Sequence, residues 1–202
     1  MKTISMIRIS LAAAALLFFA NCGGKKEASS ESESMDHATG TEAPVTSSGP
    51  LFTVDDTFKE QLTRTFGAYI KVKDAFVASD AALVKAEAAN AKKIIKAINA
   101  RMLTGPALND WSNYSNNLDM ALAEILATDD IEAQRTAFSS LSDNLYKSIK
   151  AYGLDTATAY YDFCPMAFNN QGAFWLSDNK EIRNPYFGDK MLTCGRVTEE
   201  LK

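Results

Sequence analysis

Between residues 57 and 153, large apolar side chains recur at three- and four-residue steps, the spacing that gathers them on one face of an α-helix. The first run is Phe58, Leu62, Phe66, Tyr69, Phe76 and Val77. The second is Val84, Ala88, Ala91, Ile95, Ile98 and Met102. Leu108, Trp111, Ser115, Leu118, Leu122 and Ile125 make the third, and Ile131, Phe138, Leu141, Leu145, Ile149 and Tyr152 the fourth. Helix-end signals separate the runs. Asp55 or Asp56 suits an N-cap for the first, and Asp80 for the second. Pro106, after Gly105, fits the opening turn of the third. Asp129 and Glu132 resemble a capping box for the fourth, and Gly153 is a natural stop. Four helices of about 20 residues, each about 30 Å long, joined by short connections, predict an all-α domain built as an up-down four-helix bundle.

The pattern changes at both ends. After residue 156 helical spacing fails, and glycines, prolines and asparagines punctuate an irregular, aromatic and sulfur-rich segment. It is expected to wrap against the bundle, with short strands near 173–176 and 196–200. At the N-terminus, Lys2 and Arg8 precede an apolar run, 9–20, broken only by Ser10. That run is shorter than the about 20 residues a membrane span needs, and it reads as the core of a signal peptide, 1–21. Phe18-Phe19-Ala20-Asn21-Cys22 resembles a bacterial lipobox, with Phe19 and Asn21 departing from its strict form. Cys22 is then the lipid-bearing first residue of the mature protein; the alternative is an ordinary signal peptide cut nearby, leaving Cys22 a free thiol. Acyl chains anchor through about 0.8 kcal/mol per buried CH₂. Gly23 stands where aspartate marks inner-membrane retention in some bacteria, which favours a periplasm-facing outer-membrane location.

Residues 25–50 are rich in Ser, Glu, Thr, Gly and Pro and poor in large apolar side chains. Such composition cannot offset chain entropy, so 22–50 is expected to be a lipidated, disordered tether reaching about 25–30 Å, with the folded domain at 51–202.

Charge and residue inventory narrow the function. The 202-residue chain has a formal net charge of −4, and removal of Lys2 and Arg8 with the signal peptide takes it to −6. With no basic stripe, nucleic acid is not an expected partner. The single histidine, His37, lies in the tether, so a Ser-His-Asp or Cys-His catalytic pair is not available in the domain, and an enzyme is not expected. Met102 and Met120 read as packing, Trp175 and Tyr186 as buried anchors, and Asp162, Asp189 and Arg183 as a structural ion-pair set.

Four blocks mark the C-terminal segment: Cys164-Pro165-Met166, Trp175-Leu176-Ser177, Asn184-Pro185-Tyr186-Phe187-Gly188 and Met191-Leu192-Thr193-Cys194-Gly195. In this order they resemble the domain of unknown function 3347 family, and the helical region fits it too, over about 55–200. Members of that family occur as stand-alone exported proteins and as extensions of periplasmic adaptors of heavy-metal efflux pumps. The resemblance therefore implies copper or silver handling alongside efflux components. Cys-Pro-Met also resembles the core of short metal-binding modules in such adaptors, which continue with His-Pro where this chain has Ala167-Phe168.

Thiolate and thioether sulfur are soft donors that suit Cu(I). Cys164 and Met166, two apart, share a side if the backbone is extended; Met191 and Cys194, three apart, share one helical turn. If the pairs meet, they form a sulfur-only site. The other reading is a Cys164–Cys194 disulfide, which an exported compartment permits, with Met166 and Met191 as packing. Met35 and His37 resemble the Met/His motifs of periplasmic copper proteins and are a weaker candidate pair.

Overall fold

A computed structural model of the protein describes residues 45–46 and 49–202. The expected signal peptide, 1–21, with Cys22, Met35 and His37, lies outside these residues. The chain is mostly helical, with a C-terminal antiparallel sheet.

Four long helices occupy the periodic region: α1 (Asp56–Val77), α2 (Ala81–Lys96), α3 (Gly105–Leu126) and α4 (Ile131–Tyr152). The Asp55 side chain accepts the Thr57 N–H and the Asp80 side chain that of Leu83, each satisfying a donor that helix geometry leaves unpaired. Pro106 lies in the first turn of α3, and Gly153 closes α4. The cap of α4 is Asp130, which accepts from Glu132 N–H; the expectation of Asp129 is corrected by one residue. Asp129 instead pairs with Lys85. Ile98 and Met102 fall beyond the end of α2, Met102 in a 3₁₀ turn, Ala100–Met102.

Consecutive helices pack on one another, and α1 also packs on α4. The apolar stripes meet between them. Phe58, Trp111 and Tyr152 form one aromatic cluster, with Phe52 stacked on Tyr152. Tyr69, Phe76, Phe138 and Tyr186 form another. Trp175 and Tyr186 are buried, as anchors.

The all-α expectation does not hold for the C-terminal region. The strands are β1 (Val45–Thr46), β2 (Ala159–Cys164), β3 (Ala173–Ser177) and β4 (Arg196–Leu201), in the order β1-β4-β2-β3. β2 is central and antiparallel to both β3 and β4, while β1 runs parallel to β4. Two strands lie where short strands were predicted; β2 was not. Val45 and Thr46, assigned by composition to the tether, contribute β1, and Phe52 N–H bonds to Ala151 C=O, so the fold begins before residue 51.

The free edge of β3 is closed by tyrosines, which keeps it from pairing with another chain. Tyr69 OH accepts from Leu176 N–H at 3.1 Å, and Tyr186 OH donates to Phe174 C=O. These bonds tie the sheet to α1 and to the loop after β3.

That loop meets the end of α1 at Gly188, which has φ 55° and lies so close that a Cβ there would stand 2.9 Å from Val77 C=O. Gly188→Ala is therefore expected to cost about 1–3 kcal/mol through strain and overlap, read as a lowered thermal midpoint.

Candidate functional site

β2 and β4 bring the cysteines together. Phe163 pairs with Arg196, so Cys164 on one strand meets the chain just before the other. The Cys164 and Cys194 sulfurs stand 2.7 Å apart. Cys164 is buried and Cys194 partly exposed. Close approach needs glycine at the neighbouring position. A Cβ on Gly195, which has φ 146°, would stand 2.8 Å from the Trp175 ring and 3.1 Å from Phe163 C=O.

The methionines arrive by turns, not by the regular elements predicted for them. β2 ends at Cys164, the chain turns at Pro165, and Met166 has helical angles, φ −89° and ψ −12°. Met191 follows the 3₁₀ turn Gly188–Lys190, and its carbonyl accepts Cys194 N–H at 3.1 Å, so a tight turn replaces the expected helical one. Met166, half-exposed, and Met191 line one cavity of about 450 Å³ with Glu132, Arg135, Phe168 and Tyr186.

One wall of the cavity is the short turn Ala167–Asn170 (α5), where Phe168, Asn169 and Asn170 all have positive φ. Asparagine tolerates this conformation; phenylalanine rarely adopts it. Phe168 is held there by an edge-on contact with Tyr186, ring centroids 5.3 Å apart.

Burial, and then the neighbouring Cys164 thiol, push the Cys194 thiol up to about 11. Without metal, Cys194 is thus protonated at neutral pH and weakly nucleophilic. A thiophilic ion that displaced the protons would meet thiolates. Among the described residues, no group of three or more His, Cys, Asp or Glu is gathered to hold a metal ion. The donor set at this end of the molecule is two thiols and two thioethers, which fits Cu(I) and not harder ions.

Residues 65–157 match the model of a family described as "Protein of unknown function (DUF3347)". This helical region is similar to that family. No curated protein matches, and no solved structure does. The family match begins within α1 and ends after α4, before Cys164. The four C-terminal blocks therefore lie outside it, and the helices carry the match.

Two residues that organise the site were not singled out in the sequence. Asn184 is fully buried: its side chain donates to Cys194 C=O at 2.8 Å and accepts Tyr186 N–H at 2.8 Å, while its backbone N–H bonds to Leu192 C=O. Its place in Asn-Pro-Tyr-Phe-Gly was a turn signal. Arg135 is buried under the cavity. It donates to Pro185 C=O (2.9 Å), Ser79 Oγ (2.9 Å), Phe76 C=O (3.3 Å) and Glu132 (2.7 Å), locking the loop that leads to Met191 against α1 and α4. A lone arginine in a helix gives no such signal. The expected ion-pair set around Asp162 is not formed: Asp162 is fully buried and neither carboxyl oxygen has a hydrogen-bond partner.

Proposed function

We propose that this protein is a non-catalytic, lipid-anchored module of the cell envelope that binds copper as cargo. Cys164, Cys194, Met166 and Met191 hold Cu(I), and the module works alongside heavy-metal efflux components. The observation that carries this reading is the Cys164–Cys194 pair, two sulfurs 2.7 Å apart, with Met166 two residues after the first cysteine, Met191 three before the second, and both methionines lining one cavity. Thiolates supply charge and thioethers supply neutral soft donors, so Cu(I) is held without imidazole. The four long helices, packed in chain sequence with the first against the last, support an up-down bundle as the scaffold. The N-terminal pattern supports export by residues 1–21, acylation of Cys22 and a periplasm-facing outer-membrane location, with Met35 and His37 as an accessory pair on the tether.

A second reading is favoured by the same short sulfur contact. A Cys164–Cys194 disulfide would close a loop of 30 residues and secure the C-terminal segment, contributing about 3–4 kcal/mol in the chain-entropy picture. The protein would then be a structural or interaction lipoprotein.

Competition titration of the reduced chain with a chromogenic Cu(I) chelator separates them. Copper handling requires one tightly held Cu(I) per chain and at least a hundredfold weaker binding in the Cys164→Ser/Cys194→Ser variant. Equal affinity of variant and parent, or no binding in either, would remove the copper site.

A further inference from the structure

Resting on the copper reading, we infer that Cys164 and Cys194 are a thiol–disulfide gate on the metal site: the dithiol takes Cu(I), and the disulfide releases it.

The geometry has three parts. First, the sulfurs stand 2.7 Å apart, so the disulfide distance of about 2.05 Å is reached by a side-chain movement of under about 1 Å. Second, the two thiols differ in access. Cys194 is partly exposed and Cys164 is buried directly behind it. An incoming disulfide reaches Cys194, and Cys164 then resolves the mixed disulfide from within. Third, the pair is wired to the thioether donors through the backbone. Met166 lies two residues beyond Cys164, and Cys194 N–H donates to Met191 C=O. Forming the S–S bond removes the charged ligands while leaving both thioethers chemically unchanged.

The oxidant is a disulfide R–S–S–R, either low-molecular-weight or borne by a protein. In the metal-free protein two S–H bonds break and one S–S bond forms, and the two electrons and two protons pass to R–S–S–R, giving two R–SH. From the loaded state, the two-thiolate Cu(I) complex plus R–S–S–R and two protons gives the protein disulfide, two R–SH and Cu(I), with no change in the metal's oxidation state. Oxidation thus becomes the signal that discharges the cargo, and the methionines remain as a weak holding site.

The test uses the full chain purified from membranes in detergent, under argon. Cu(I)-loaded protein is treated with oxidised glutathione. Cu(I) transferred to a chromogenic chelator is followed together with thiol content and the mass of the peptides containing Cys164 and Cys194. Release of Cu(I) in step with loss of two thiols and formation of the Cys164–Cys194 peptide is expected, with at least a hundredfold weaker Cu(I) binding after oxidation. In Cys194→Ser, oxidised glutathione should release no Cu(I) through an internal disulfide. Equal Cu(I) affinity in the oxidised and reduced chains overturns the gate and, with it, the cysteine ligands of the copper reading. Failure of the disulfide to form overturns the gate alone. Failure of the reduced chain to bind Cu(I) overturns both.

Discussion

Asp162→Asn is expected to make the metal-free protein more stable at pH 7 by about 2–4 kcal/mol. Asp162 sits in β2 facing α1, fully buried, and neither oxygen has a hydrogen-bond partner. Burial pushes its carboxyl up to about 8; Lys73 acts in the opposite direction and does not overcome this. Lys73 is itself occupied with Asp74 at 3.0 Å, with Asp178 at 3.9 Å. The sign follows from the proton count. The native state holds the Asp162 proton up to about pH 8, whereas the unfolded chain releases it near pH 4. The carboxyl's contribution is therefore full below about pH 4 and is lost as pH rises through about 8. Asparagine has the same shape and cannot ionise, so the variant should track the parent near pH 4 and exceed it increasingly towards pH 8. Urea unfolding of both proteins between pH 4 and pH 9 reads this directly. A parent-to-variant difference that stays constant with pH would show that Asp162 is not held neutral.

Arg135→Met should act in the other direction, lowering stability by roughly 2–5 kcal/mol, from about 1–3 for each buried carbonyl left unpaired. The guanidinium satisfies Pro185 C=O and Phe76 C=O at once, with Ser79 and Glu132 filling its remaining directions. Methionine fills the volume but donates nothing. Arg135→Lys keeps the charge yet offers a compact ammonium in place of the planar fork, so it should fall between the two. Because Arg135 holds the loop carrying Tyr186 and Met191, the Met variant should also open the 184–195 segment to limited proteolysis ahead of global unfolding. A loss below about 1 kcal/mol, with no change in cleavage, would mean that the loop is fixed by other contacts.

The helices were legible because burial at a 3.6-residue period is written into side-chain type. Phe58, Leu62, Phe66 and Tyr69 are all buried on α1. Caps were legible as residue types but not always to the residue: Asp129 and Asp130 both suit the role, and only chain geometry selects Asp130. The sheet was half-legible. β2 was hidden by Asp162, whose charge reads as solvent-facing and whose burial comes from tertiary packing. β1 was hidden for a different reason. Its hydrogen bonds to β4 use backbone atoms, so a polar tether composition says nothing about them.

The sulfur residues were named by chemistry alone, and the meeting of the two cysteines was not derivable from spacing. It depends on the register that sets Phe163 against Arg196, and on Asn184 and Arg135 folding the intervening loop. Local expectations for Met166 and Met191 did not hold, because Pro165 ends β2 at the cysteine and the second block forms a tight turn. Both methionines reach their shared cavity by turns that neither strand nor helix periodicity describes.

The most direct measurement of a sulfur-only Cu(I) site is X-ray absorption at the copper edge on the reduced, Cu(I)-loaded chain. Such a site requires an edge characteristic of Cu(I) and a first shell of sulfur alone, lost in the Cys164→Ser/Cys194→Ser variant. A first shell of nitrogen or oxygen, or a spectrum unchanged in that variant, would contradict it.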